Sequence, residues 1–183
     1  MSSPNNMYGN PSELDLRQEM INTFNGTAVE IAKSQPGLLR KLNTDSNGDY
    51  ILCPCVDRVT KEADRDTFCP ICFGEKYYWT ETYIKFYIVD IATPAAVNKL
   101  KAPGIVDVPQ NTFYFMYDVA VTKPDKIVEI ELDIEGNIVL PVKRIALWRI
   151  QELNALRGDN GRVEFIKVFT TKEDVKYLNT PGL

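Results

Sequence analysis

The sequence predicts a small, mainly β fold, a barrel or sandwich, with one N-terminal α-helix and a cysteine-bounded insertion in its first half. Three observations predict it. Short runs of β-branched and aromatic residues recur along most of the chain, separated by Gly-, Asn- and Pro-bearing turns, as in an all-β domain. A single apolar stripe of helical period stands near the start. Four cysteines fall in two close pairs around a polar stretch.

Residues 1–11 (MSSPNNMYGNP) are rich in Ser, Asn, Pro and Gly and have little to bury, so they read as a flexible arm. That arm is either a plain terminus or one that docks on a neighbouring subunit. The remainder, 12–183, reads as one β-rich domain that includes the cysteine insertion 53–76 and a long loop at 92–110. A helix is expected over 13–25. Ser12 can cap it, Glu13 and Asp15 suit the positive end of its dipole, and Gly26 stands where a left-handed residue would end it. Leu16, Met20 and Phe24, with Ile21 beside them, form its apolar stripe.

Strands follow. Residues 27–32 are short and β-prone, Gln35, Pro36 and Gly37 read as a break, and the strand resumes over 38–42. Residues 45–49 (DSNGD) are a turn cluster. Residues 77–91 form one long strand or two, with Thr80, Thr82, Ile84, Phe86 and Ile88 on one face. The segment 92–110, punctuated by Pro94, Pro103, Gly104 and Pro109, is a loop of a length that is usually functional or disordered. Further strands are expected at 112–117 and at 127–132, the latter with Val128, Ile130 and Leu132 inward and Glu129 and Glu131 outward. A turn at Glu135, Gly136 and Asn137 leads into 138–140. The run 144–156 fits strand or helix, and a strand to about Glu152 is favoured. Asp159, Asn160 and Gly161 make a hairpin turn into a last strand at 162–169.

Composition narrows the function. Charged residues make up 25% and hydrophobic ones 44%, enough for a real core. No apolar run reaches the roughly 18 residues of a membrane helix, and residues 1–11 lack the charge pattern of a targeting signal. A cytosolic setting is therefore expected, where thiols stay reduced unless a metal holds them. The net charge of −4 comes with scattered Lys and Arg, which argues against tight nucleic-acid binding but allows a surface that DNA slides past. Histidine is absent, which removes Ser-His and Cys-His dyads and histidine metal sites. Phosphate loops and nucleophile elbows are missing as well, so no catalytic residues are expected and the chain reads as a non-enzyme.

The cysteines carry the one strong motif. Cys53-Pro54-Cys55 is followed, after thirteen residues, by Cys69-Pro70-Ile71-Cys72-Phe73-Gly74. The second half has the CPxCxG form of a zinc knuckle, in which a tight turn carries two thiolates and the glycine lets backbone amides reach the sulfurs. Four thiolates complete a closed tetrahedral site of structural type, so one structural zinc per chain on Cys53, Cys55, Cys69 and Cys72 is the leading reading. The first pair is CxC rather than CxxC, which tightens its chelate ring. Two readings stay beside it: four reduced, unliganded thiols, or disulfide or redox use. Four thiolates also accept iron.

Other motifs are weaker. Arg157-Gly158-Asp159 spells an adhesion tripeptide but precedes Asn160-Gly161, so turn chemistry explains it. Tyr77, Tyr78, Trp79, Tyr83, Phe86 and Tyr87 could stack nucleobases, yet they alternate with acids as often as bases and fit a sheet core or subunit interface better.

At these positions the chain resembles the bacteriophage neck proteins of the head-closure, or stopper, group of head–tail connectors. These often open on a helix of the form LRxEMI, here Leu16 to Ile21, and some carry a CxC…CPxCxG insertion before an aromatic strand, here 53–78. Their later half is similar to Asp125-Lys126-Ile127-Val128 as a strand start and to Gly161-Arg162-Val163-Glu164-Phe165 as a closing hairpin. The resemblance implies a small β-barrel whose copies form a homo-oligomeric ring under the portal, joining the DNA-filled head to the tail. The implied partners are other copies of the chain, the portal or adaptor protein, and a tail terminator or other tail protein. Packaged double-stranded DNA would pass nearby without specific binding. The place of action would be the virion neck, after assembly in the host cytoplasm, with no membrane involved. A loop facing the channel helps retain DNA in such proteins, and 92–110 is the candidate here. The competing expectation is a cytosolic zinc-ribbon module binding nucleic acid or a protein partner; an enzyme with a structural zinc ranks third.

Overall fold

The computed structural model describes residues 16–27, 31–63, 69, 71–90, 111–158 and 161–173. The arm 1–11, the helix start at 12–15, the loop 92–110 and the turn residues 159–160 lie outside them. The chain divides into two compact units, 1–33 and 34–183. In the first, α1 spans Leu16–Asn25 and Phe24 is buried. Gly26 ends the helix as its sequence position predicts, with φ 81° and its N–H donating to Asn22 O.

The second unit is a closed barrel of six strands: β1 (Gln35–Leu42), β2 (Trp79–Asp90), β3 (Asn111–Met116), β4 (Lys126–Ile130), β5 (Arg144–Arg157) and β6 (Val163–Glu173). Around the barrel the order is β1-β2-β3-β6-β5-β4, and every neighbouring pair is antiparallel. Closure comes from β4, which pairs with β5 on one side and with 38–40 of β1 on the other. Among the described strands it covers both sides of the barrel's seam, although β4 does not reach the first three residues of β1. The mainly β class and the N-terminal helix are therefore as the sequence indicates.

The interior draws residues from all six strands: Leu39, Phe86, Phe113, Phe115, Ile127, Trp148 and Val168 among them. Phe86 meets Phe113 and Phe115 edge to face at 5.2 and 6.0 Å between centroids, and Phe113 meets Trp148 at 5.7 Å. Six strands enclose only enough space for side chains, and these rings fill it. The expected face of β2 is present here, since Ile84, Phe86 and Ile88 all join this core.

Three sequence expectations need correction. Gln35, Pro36 and Gly37 do not break the strand; they begin β1. β4 pairs only with 38–40, so this end of β1 is an edge, where proline is tolerated. Strand β5 runs five residues past Glu152, to Arg157, because its partner β6 extends the pairing to Val163. In β4 the inward and outward faces are exchanged. Ile127 belongs to the barrel interior, and Glu129 on the same face accepts a 2.7 Å hydrogen bond from Trp148 Nε1. Val128 and Ile130 are buried on the outer wall with Leu38 and Leu147, under Leu132, Ile138 and Val142 of the β4–β5 connection. That cover folds back on itself through the Leu132–Ile138 bridge and a turn at 133–137 with Gly136 at φ 84°. Alternation in a sequence shows that two faces differ; where both are buried it does not show which one lines the lumen.

Candidate metal centre

The β1–β2 connection carries the four cysteines. It leaves β1 with the pairing already under way: Asn43 N–H bonds Tyr78 O, Tyr78 N–H bonds Ile51 O, and Cys53 N–H bonds Lys76 O. Segment 53–76 is thus an excursion whose two ends are clamped side by side. Its first limb, polar in sequence, folds locally through hydrogen bonds. Residues 56–63 form a small hairpin, bridged at Val56 and Ala63, with Asp57 accepting from the amides of Val59 and Thr60. Its second limb turns tightly: Phe73 N–H bonds Cys69 O and Glu75 N–H bonds Cys72 O, with Phe73 and Gly74 both left-handed at φ 52° and 86°. Glycine takes that conformation freely; phenylalanine is held in it by contacts described below.

All four sulfur atoms lie within 4.8 Å of one another. The pairs interleave, Cys53 with Cys69 at 3.6 Å and Cys55 with Cys72 at 3.3 Å. A disulfide needs about 2.05 Å, and the cysteines are free. Four sulfurs at about 2.3 Å from a central ion would stand about 3.8 Å apart, so the cluster already has nearly the dimensions of a tetrahedral thiolate site. Cys53 and Cys72 are buried, as is Trp79, which packs with Val56, Leu42 and Ala63 around the sulfurs. The cluster could hold a metal ion.

Electrostatics fit the same donor set. Burial raises the Cys53 and Cys55 thiols, in Cys55 reinforced by its sulfur contact with Cys72. Burial works upward on Cys69 too, but backbone N–H groups of Cys72 and Ile71 donate to its sulfur and bring it down to about 7. Four thiolates cannot share so small a buried volume without a cation among them; a divalent ion compensates their charge.

Beneath the second limb lies a group of charged residues on the outer wall of the barrel. Arg40 of β1 is 1% exposed. Its Nη1 pairs with Glu81 Oε1 at 3.1 Å, its Nη2 donates to Ile71 O, and its guanidinium lies 3.9 Å from the Phe73 ring centroid. Arg144 of β5 pairs with the other Glu81 oxygen at 2.7 Å and approaches the Phe73 ring at 5.5 Å. Lys126 of β4 reaches Glu75 of the knuckle and Glu173 of β6. Three strands thus grip residues 71–75.

Every cysteine singled out in the sequence falls in one cluster. The charged seat under it has only a faint signature in the sequence. Arg40 stands in the run LLRKL, where each strand face carries one charge among leucines, so alternation leaves its burial undecided. The signals it leaves are an arginine flanked on its own face by Leu38 and Leu42, and an aromatic residue, Phe73, between cysteine and glycine.

These features define a class: a closed, six-stranded antiparallel barrel bearing, between its first two strands, a four-cysteine knuckle that could hold a metal ion. No protein-family model matches the chain, and comparison with curated proteins finds no match.

Proposed function

We propose that the protein is a non-enzymatic structural component of a bacteriophage neck, a head-closure ring subunit whose knuckle holds one structural zinc. The observation that carries this reading is that the landmarks of the resemblance coincide with elements of the barrel. Asp125 to Val128 opens β4, Gly161 to Phe165 opens β6, and the cysteine motif fills the β1–β2 connection. The barrel interior is filled by aromatic rings, so it works as a scaffold that acts through its outside. Tyr83, Tyr87 and Tyr117 are exposed, and aromatic residues of this kind are enriched where subunits meet.

In this reading the contacts around the ring are heterologous, two different faces of one subunit meeting its neighbours. The ring joins portal or adaptor to tail proteins in the virion, and packaged DNA passes it without specific binding because the net charge is −4. Zinc is favoured over iron because a closed set of four thiolates, clamped in a preformed turn, is the usual structural zinc site. The zinc-supported fold holds the knuckle; it performs no chemistry.

Native mass spectrometry and negative-stain imaging of the purified protein, alone and with a portal ring, test the proposal. A closed ring, or stoichiometric decoration of the portal, is expected. A chain that stays monomeric in both settings and binds DNA in a salt-dependent manner refutes it and favours the zinc-ribbon module.

A further inference from the structure

Among the described residues Arg40 is the largest fully buried side chain, and it is charged. Leu39 points into the barrel core, so Arg40, next along β1, leaves through the outer wall. A cation in that position is stable only if partners surround it. One is Glu81, from the neighbouring strand β2 and shared with Arg144. Two more come from the knuckle, the carbonyl of Ile71 and the face of Phe73, and the Trp79 ring of β2 lies 5.4 Å away. The carbonyl matters most. It belongs to the peptide unit whose N–H is that of Cys72, and this N–H donates to Cys69 Sγ. A guanidinium at one end of a peptide and a thiolate at the other polarise it in the same sense, so each strengthens the other's hydrogen bond. The rigid fork also fixes the direction in which that N–H points.

We propose that Arg40 is a positioning residue for the metal centre: it orients the Ile71–Cys72 peptide towards Cys69 and so links metal affinity to the seating of the knuckle on the barrel. The inference rests on the reading that the four cysteines hold a divalent metal. With the metal bound, Cys69 and Cys72 hold the turn that gives Arg40 two of its partners. When the metal leaves, the turn loosens and the guanidinium loses them, so metal loss is felt in the strands β1, β2 and β5 that carry Arg40, Glu81 and Arg144.

The test compares zinc affinity, by competition with a chromophoric chelator, in the parent protein and in Arg40→Met and Arg40→Lys. The thiolate-to-metal absorption of the cobalt-loaded proteins is recorded alongside. Arg40→Met should weaken zinc binding about tenfold and shift the cobalt spectrum, as loss of a residue bonded to the ligand shell does. Arg40→Lys, with charge but no fork, should fall between. A purely structural Arg40 would lower the melting temperatures of metal-free and metal-loaded protein equally and leave affinity within about twofold; that result overturns the proposal. Should Arg40→Met not fold, Phe73→Leu keeps the Arg40–Glu81 pair and removes the ring under the guanidinium. It should lower affinity severalfold, and unchanged affinity overturns the coupling. A parent protein that takes up neither zinc nor cobalt sinks the metal reading itself, a different failure from equal affinities across the series.

Discussion

Gly37 of β1 lies directly under the Phe86 ring: a Cβ at position 37 would come within 2.3 Å of Phe86 Cε1 and 2.5 Å of its Cζ. The glycine is there for space, since its φ is ordinary and a side chain would strike the centre of the barrel core. Phe86 in turn meets both Phe113 and Phe115, so it has no free direction in which to retreat.

Gly37→Ala should therefore destabilise the barrel by about 2 kcal/mol, the usual cost of overpacking a core. The gain in strand propensity from alanine is smaller. Urea unfolding followed by tryptophan fluorescence checks it; unchanged stability would mean the ring can move aside.

Trp148→Phe should cost about 2 kcal/mol, because it removes both buried area and the indole N–H that bonds the Glu129 carboxylate inside the barrel. Glu129→Gln keeps a hydrogen-bond acceptor for the indole and should cost less. The ranking of the two in chemical denaturation is the result to look for; a larger loss in Glu129→Gln would show that the carboxylate's charge matters more than the bond.

Elemental analysis should find one zinc per chain, and chelation should loosen 53–76 before the barrel strands. The reason is that the limbs hold few buried apolar groups beyond the Trp79 cluster, whereas the strands close on a core of their own. Cys69→Ser or Cys72→Ser should reproduce the chelated state. Amide hydrogen exchange resolves the order. Exchange that accelerates across all strands together, with no lead at 53–76, would contradict it.

The cover over the outer cluster of β4 should weaken in acid. Asp133 accepts backbone N–H bonds from Asn137 and Glu135, which hold its carboxyl below the ordinary value of 3.8. A depressed folded value means that this contribution is fully present above 3.8 and is lost as pH falls through the lower folded value. Amide exchange at Asn137 should rise over that acid range in the parent and lose this dependence in Asp133→Asn.

The β class, most strand positions, the helix end at Gly26 and the four cysteines of the site can be read from the residues alone. These are legible because each rests on a local rule: alternation, a positive-φ glycine, or a ligand spacing read over a few residues. The rest follows from packing between segments distant in the chain. The inner and outer faces of β4 depend on what covers the wall, and the cover is a segment folded back from later in the chain. That β1 continues through Pro36 depends on how short β4 is. Arg40 was invisible as a site residue because its partners Ile71, Phe73 and Glu81 lie 31 to 41 positions away and meet it only when β1 pairs with β2 and the knuckle folds over them. A charge in a strand looks solvated until its whole surroundings are known, since burial is a property of the fold rather than of the residue.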